Sequence, residues 1–307
     1  MKRVLITGAS GFIGGHCLPL LVTNGYEVHA VSTREAPPAD AAGIIWHRCN
    51  LLEPPRVDDL LASVRPTHLL HLAWYAVPHK FWSSTENLQW VQASLNLVHA
   101  FARHDGRRFV ASGSCAEYDW AAGHCSETTT PLRPATLYGA CKLGFQIVLE
   151  AYCRQFGLTS AWGRIFFLYG PNEPPEKFVA SIISSFLRGQ PARCSHGDQI
   201  RDFLHVRDVA RAFVTLLDSE TSGAMNIASA EPIALKTVAR RIAEKMGCMP
   251  LLQLGALAAR SGEPPVLTAD NTRLKVETAW KMSYDLESGL NETIAWWKAN
   301  LASHATI

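Results

Sequence analysis

Short apolar runs alternate with longer amphipathic stretches along the first half of the chain. Runs at residues 4–6, 28–31, 44–49, 68–73 and 108–111 are rich in Val, Ile and Leu and read as buried strands. Between them the spacing turns helical. Residues 57–64 form a short helix stopped by Pro66, and Leu88, Val91, Leu95, Val98 and Ala102 recur at helical intervals through residues 86–103. A longer helical pattern covers residues 138–156. There Phe145, Ile147, Val148 and Leu149 point in several directions, consistent with burial on more than one face. No hairpin signal joins the strands. Strands that alternate with helices predict an α/β chain whose parallel sheet is covered on both faces.

The second half is more mixed. Pro171-Asn172-Glu173-Pro174-Pro175 marks a boundary. Beyond it Phe178, Ile182, Phe186 and Leu187 make a core-facing helical stripe. Residues 206–217, 235–246 (stopped by Gly247) and 287–301 read as helices, and 224–228 as a strand that returns to the main sheet. The expected organisation is a dinucleotide-type domain over residues 1–170, rejoined by 203–228, and a smaller mixed α/β lid domain over 171–307. The ligand cleft lies between them.

The first turn of the chain indicates what the large sheet binds. Thr7-Gly8-Ala9-Ser10-Gly11-Phe12-Ile13-Gly14 follows the first strand directly and opens a helix, the order of a Rossmann-type, doubly wound nucleotide site. Gly8 permits the tight turn, Gly11 lets the backbone approach a pyrophosphate, and Gly14 lets the helix lie close to the sheet. The helix start at Phe12 and Ile13 offers unpaired N–H groups to the phosphates. Pro19, inside that helix, is expected to kink it. The second strand ends at Ser32-Thr33-Arg34, with no acidic residue to hold a ribose 2′-hydroxyl. Small hydroxyls and a guanidinium suit a 2′-phosphate, so NADP(H) is favoured and NAD(H) stays open; a solvated loop charge is the plainer role for Arg34. Ligands in such sheets lie at the carboxyl ends of strands. That adds Asn50, Leu51, Leu72, Ala73, Trp74, Ser112 and Ile165 to the expected cofactor contacts.

Composition narrows the class. With 48% hydrophobic and 18% charged residues, the 307-residue chain carries a sizeable core. A net charge of +2 gives no reason for a nucleic-acid or membrane partner. No apolar run reaches the ~18–20 residues that spanning a bilayer needs. The run after Met1-Lys2-Arg3 is broken at once by glycines and polar residues, so it reads as a strand rather than a leader. The eight cysteines form no C-x-x-C pair and the twelve histidines are dispersed, so no metal site is expected. Free thiols in a reducing cytoplasm are.

Tyr138 and Lys142 open the long helix four residues apart, on one face. A neighbouring ammonium lowers a phenol from its reference pKa of ~10 and makes it an acid or base at neutral pH. Together with the glycine turn and a serine at the end of the fifth strand, this pair resembles the extended short-chain dehydrogenase/reductase family. Within it the match is to the NAD-dependent epimerase/dehydratase group, which acts mostly on nucleotide sugars. The resemblance covers nearly the whole chain. It extends to the tract from Arg164 to Pro171, to Arg201-Asp202-Phe203-Leu204-His205-Val206-Arg207-Asp208-Val209, to Met225-Asn226-Ile227-Ala228, to Arg260-Ser261-Gly262-Glu263, and to Asp270 and Trp280. It implies that Ser114, rather than Ser112, hydrogen-bonds the reacting sugar oxygen. Tyr138 would pass the proton, and Lys142 would bind the nicotinamide ribose and depress the tyrosine pKa. Arg201 and Arg260 match residues that grip a substrate diphosphate, where a guanidinium fork suits phosphate oxygens; surface salt bridging is their plainer role. The family also implies a homodimer paired through the helices at 86–103 and 138–156.

Two departures bear on the reaction. Family dehydratases carry Asp-Glu directly after the serine or threonine, and Cys115 and Ala116 stand there instead. No acid/base couple for 4,6-dehydration is therefore expected, and Glu117 is expected to point elsewhere. Phe167 occupies a position where many members carry an asparagine that contacts the substrate phosphate. Trp74, Trp82 and Trp90 add aromatic bulk near the expected pocket, as wall or as core. The implied activity is reduction at C4 of a nucleotide-diphosphate-linked 4-keto-(6-deoxy)sugar by hydride transfer. The alternatives are a nucleotide-sugar 4-epimerase with retained NAD and a non-catalytic dinucleotide-sensing protein on the same fold.

Overall fold

The chain begins with β1 (Arg3–Thr7), α1 (Phe12–Thr23), β2 (Glu27–Ser32), β3 (Ile44–Arg48), α2 (Pro54–Val64), β4 (His68–His71), α3 (Glu86–Arg103) and β5 (Arg108–Ser114), in a computed structural model that describes residues 2–33, 43–259 and 262–300. It continues through β6 (His124–Cys125), α4 (Leu137–Phe156), β7 (Thr159–Ile165), β8 (Phe167–Tyr169), α5 (Phe178–Leu187), β9 (Ala192–Arg193), β10 (Ile200–His205), α6 (Val206–Asp218) and β11 (Gly223–Ile227). The last elements are β12 (Pro232–Ala234), α7 (Leu235–Met246), β13 (Leu252–Gln253), β14 (Val266–Ala269), α8 (Thr272–Glu277) and α9 (Leu286–Asn300).

Seven strands pair in the order β3-β2-β1-β4-β5-β7-β11, every pair parallel. Side-chain alternation along each strand feeds two separate cores. On β1, Val4 and Ile6 enter the layer built from α1 and α6, while Leu5 enters the layer built from α2, α3 and α4. All three are fully buried, and each such side chain contributes roughly 1.5–3 kcal/mol on leaving water. The sheet is thus doubly wound, and the strand order reverses direction at β1 and β4, where ligands bind in such folds. The helix α1 is continuous through Pro19, which sits on its exposed side.

A second, smaller sheet has the order β12-β10-β14-β6, with β8 also paired to β10. The helices α5, α7 and α9 close a third core around Val179, Ile183, Val238, Ile242, Leu290 and Trp297. The chain passes between the two lobes more often than one boundary and one return describe. β6 joins the small sheet from within residues 1–170, and Leu274 of α8 and Trp280 pack into the α1/α6 core.

The helix α3 has two apolar faces. Its buried face is Asn87, Ala93, Ser94, Leu97, Val98, Ala100 and Phe101. The stripe that stands out in the sequence shares Val98 with it and packs Leu95 against the same core, while Leu88 is 56% exposed. In α4 the same division sends Phe145 and Leu149 inward and leaves Ile147 58% and Val148 46% exposed.

Candidate functional site

Glycine sterics build the turn after β1. Gly8 has φ +69°, and a Cβ there would lie 2.7 Å from the Ala73 backbone nitrogen. A Cβ on Gly14 would fall 2.1 Å from the Gly8 carbonyl oxygen, so α1 packs directly on the turn. Gly11 is the N-cap of α1, with no side-chain cap and no acid in the first turn. The helix start at Phe12 and Ile13 therefore presents N–H groups and a positive dipole end toward an anion.

The neighbouring strand ends converge on this turn. Ser32 Oγ lies 3.2 Å from Ser10 Oγ, and Thr33 is exposed beside it. Arg34, the expected 2′-phosphate partner, lies outside the described residues. Asn50 uses its side chain locally: Oδ1 accepts from the Leu52 N–H at 3.1 Å and Nδ2 donates to Glu53 at 3.0 Å. Leu51 is buried beside it. The Leu72 N–H donates to the Thr7 carbonyl at 3.2 Å, and the Ala73 N–H donates to Thr7 Oγ1 at 3.4 Å. His71 ties these parts together, which periodicity alone could not reveal. Its Nδ1 lies 2.7 Å from Thr7 Oγ1, and its Nε2 lies 2.9 Å from Ser94 Oγ, whose own proton goes to the Trp90 carbonyl at 2.6 Å. That leaves Nε2–H donating to Ser94 and Nδ1 accepting from Thr7. Burial drives the imidazole down to about 3, so it is a neutral strut.

The reactive corner forms where β5 runs into a single 3-10 turn, Cys115–Glu117. Ser114 caps that turn: its Oγ accepts from the Ala116 N–H at 3.2 Å, and Glu117 accepts from the Ser114 N–H at 2.7 Å. The start of α4 is capped by Thr136, which accepts from the Gly139 N–H at 3.1 Å. A Cβ on Gly139 would lie 2.2 Å from the Ala116 carbonyl oxygen, so the helix end presses on the 3-10 turn. This contact brings Tyr138 beside Ser114, whose hydroxyl pulls the phenol's pKa down. Lys142, one turn on, donates to the Ser112 carbonyl at 2.8 Å and lies 3.8 Å from the centre of the Trp74 ring. Ile165 ends β7 in register with Ser114.

The electrostatics correct one expectation. Burial pushes the Tyr138 phenol above its ordinary value; the Ser114 hydroxyl opposes this, and Glu117 and Cys115 add to it. Lys142 does not lower it. Burial pushes the Lys142 ammonium itself down to about 7, against a pull from Glu117. Loss of water is the largest influence at both groups. The phenol therefore stays protonated at neutral pH and is set to act as a proton donor.

Beneath this corner Glu117 points inward. It accepts from Trp162 Nε1 at 3.0 Å and from Arg164 Nε at 2.7 Å. Arg164 also donates to Tyr118 Oη at 3.0 Å and Gln146 Oε1 at 2.7 Å. On β10, Arg201 is buried, 5.2 Å from the Phe167 ring and 4.0 Å from Glu263. Arg260 lies outside the described residues. Residues 75–85 supply an aromatic wall of which the sequence had suggested only Trp82. The Trp82 carbonyl accepts from the Tyr138 N–H at 3.1 Å, and the Phe81 ring meets Tyr138 edge-on at 4.8 Å. Trp90 packs against Trp74. Among the described residues no cluster of His, Cys, Asp and Glu could hold a metal ion, and no helix is long and apolar enough to cross a membrane.

Comparison with known proteins agrees with this geometry. The model of the NAD dependent epimerase/dehydratase family matches residues 4–228. The UDP-glucose 4-epimerase of Corynebacterium glutamicum is 24% identical over 308 residues, covering 91% of this chain and 90% of that protein. A dTDP-glucose 4,6-dehydratase of Mycolicibacterium smegmatis is 28% identical over 320 residues, covering 97% and 94%. The solved structure of MoeE5 in complex with UDP-glucose and NAD superposes with a TM-score of 0.85 at 30% identity, covering 98% of this chain and all of that one.

Proposed function

We propose that this chain, which belongs to the NAD dependent epimerase/dehydratase family, reduces the C4 carbonyl of a nucleotide-diphosphate-linked 4-keto-(6-deoxy)sugar. The observation that carries this reading is the packing of Gly139 on the Ala116 carbonyl, which sets Tyr138 beside Ser114 at the end of β5, with Lys142 bonded to the Ser112 carbonyl one turn on. A reduced nicotinamide supplies the hydride to C4 when bound. Ser114 and Tyr138 hold the carbonyl oxygen, and Tyr138 gives it a proton as the C–H bond forms. The Lys142 ammonium binds the nicotinamide ribose, and the phenolate regains its proton from solvent. Arg201, with Arg260, grips the diphosphate.

The glycine turn fits a dinucleotide, and Ser32 and Thr33 without a carboxylate favour NADP(H) over NAD(H). Cys115 and Ala116 carry no acid, and Glu117 is spent on Ser114, Trp162 and Arg164. Both points support redox chemistry without 4,6-dehydration. The smaller lobe serves as the substrate lid. The exposed apolar faces of α3 and α4, with Leu88, Ile147 and Val148, suit pairing into a homodimer. Eight free thiols accord with work in a reducing cytoplasm.

A second reading is a 4-epimerase with retained NAD. It is favoured by the likeness to MoeE5, solved with UDP-glucose and NAD, and to the Corynebacterium epimerase. One experiment separates the two: the nucleotide that co-purifies is extracted and weighed, and the protein is given NADPH with dTDP- or UDP-4-keto-6-deoxyglucose. Oxidation of NADPH with a 4-hydroxy product supports reduction. Retained NAD and interconversion of UDP-hexoses without added cofactor support epimerisation and defeat the reductase reading.

A further inference from the structure

Lys142 is 3% exposed, and among the described residues no carboxylate lies within ion-pair distance of its ammonium. Its close partners are the Ser112 carbonyl and the face of Trp74, while the Tyr138 and Trp162 rings lie at 6.0 Å. The charged and titratable groups around it do not substitute. Glu117 is bound to Arg164, His71 on β4 is neutral, and Tyr138 on α4 itself is protonated. Trp74 is held firmly in turn. Its Nε1 donates to Asn87 Oδ1 at 2.9 Å, and Asn87, fully buried, donates to the Phe81 and Ser84 carbonyls at 2.7 and 2.8 Å. Phe145 stacks on the indole at 6.4 Å.

We propose that Trp74 is a positioning residue: its indole face holds the Lys142 ammonium charged and aimed at the nicotinamide ribose site. The electron-rich ring face attracts a cation, most strongly where water is excluded. Asn87 makes that face immobile and anchors the aromatic wall beside Tyr138 with the same side chain. The inference rests on the reading that Lys142 binds the ribose. It turns Trp74 from a direct cofactor contact, as the strand-end position suggested, into the group that prepares one.

The test is the pH dependence of NADPH and NADH binding to the whole protein, measured by calorimetry for wild type, Trp74→Leu, Trp74→Phe and Lys142→Met. Wild-type affinity is expected to fall as pH rises through about 7, where the ammonium loses its proton. In Trp74→Leu the fall moves about one pH unit lower, the size a desolvated cation–π contact supports. In Trp74→Phe, whose ring keeps part of the attraction, it moves about half as far, and this variant carries the test if the leucine variant does not fold. Lys142→Met loses the pH dependence. If either Trp74 variant weakens binding equally at every pH and leaves the fall where wild type has it, the indole only packs and the proposal is overturned. If Lys142→Met binds as wild type does, with the same pH dependence, it is the ribose reading that fails.

Discussion

Two cations are buried behind the end of β5, and the chain treats them in opposite ways. Arg164 is 1% exposed and saturated: Glu117, Tyr118 and Gln146 all accept from it. Burial alone would lower its pKa, but Glu117 and Tyr118 more than reverse the effect, so it stays charged at every working pH. Among the described residues Lys142 has a single hydrogen bond, to a neutral carbonyl, and its proton is held only to about pH 7. A fully partnered charge is a structural bolt. A charge left with neutral partners keeps donors to offer a ligand and sits where its protonation responds to one.

The largest expected effect comes from breaking the first of these. Arg164→Met strands the Glu117 carboxylate in a dry interior and should cost about 3–5 kcal/mol in chemical denaturation at neutral pH. A loss below about 1 kcal/mol would mean that the pair is not the bolt described.

Lys142→Met should act with the opposite sign. The folded chain releases the lysine proton near pH 7 and the unfolded chain near 10.5. Between those values the unfolded state binds more protons, so this group's penalty is full below about 7 and is relieved as pH rises toward 10.5. The variant should therefore be more stable at pH 7, on the order of 2–4 kcal/mol, and should lack the rise in stability with pH, while losing turnover. Destabilisation as large as that of Arg164→Met would erase the contrast between the two cations.

The smallest change in shape sharpens it. Glu117→Gln keeps the outline of the network but leaves the Arg164 guanidinium buried without its counter-charge, and should also cost about 3–5 kcal/mol. It should also lower the Lys142 pKa slightly further, since Glu117 pulls it upward. Denaturation and the pH profile of cofactor binding read the two effects separately.

The contrast also separates what the sequence discloses from what it does not. The glycine turn was legible because glycine states its reason locally: Gly8 occupies φ +69° and Gly14 touches a backbone oxygen. The Tyr138–Lys142 spacing was legible because helix geometry is local too. The protonation states were not, because burial comes from residues far apart in the chain, such as Glu117 and Arg164, 47 positions from each other. The inner face of α3 was hidden for a related reason. It carries Asn87 and Ser94, polar residues turned inward to hold Trp74 and His71, so hydrophobic periodicity picked out a stripe running from the exposed Leu88 that shares only Val98 with the buried face.

The central claim is that the Tyr138 proton completes hydride transfer to a sugar carbonyl. It is tested most directly by single turnover of Tyr138→Phe loaded with NADPH and given dTDP- or UDP-4-keto-6-deoxyglucose, following nicotinamide absorbance. The account predicts intact folding, intact cofactor binding and a rate lower by about 10²–10⁴-fold. Oxidation of NADPH at the wild-type rate would contradict it.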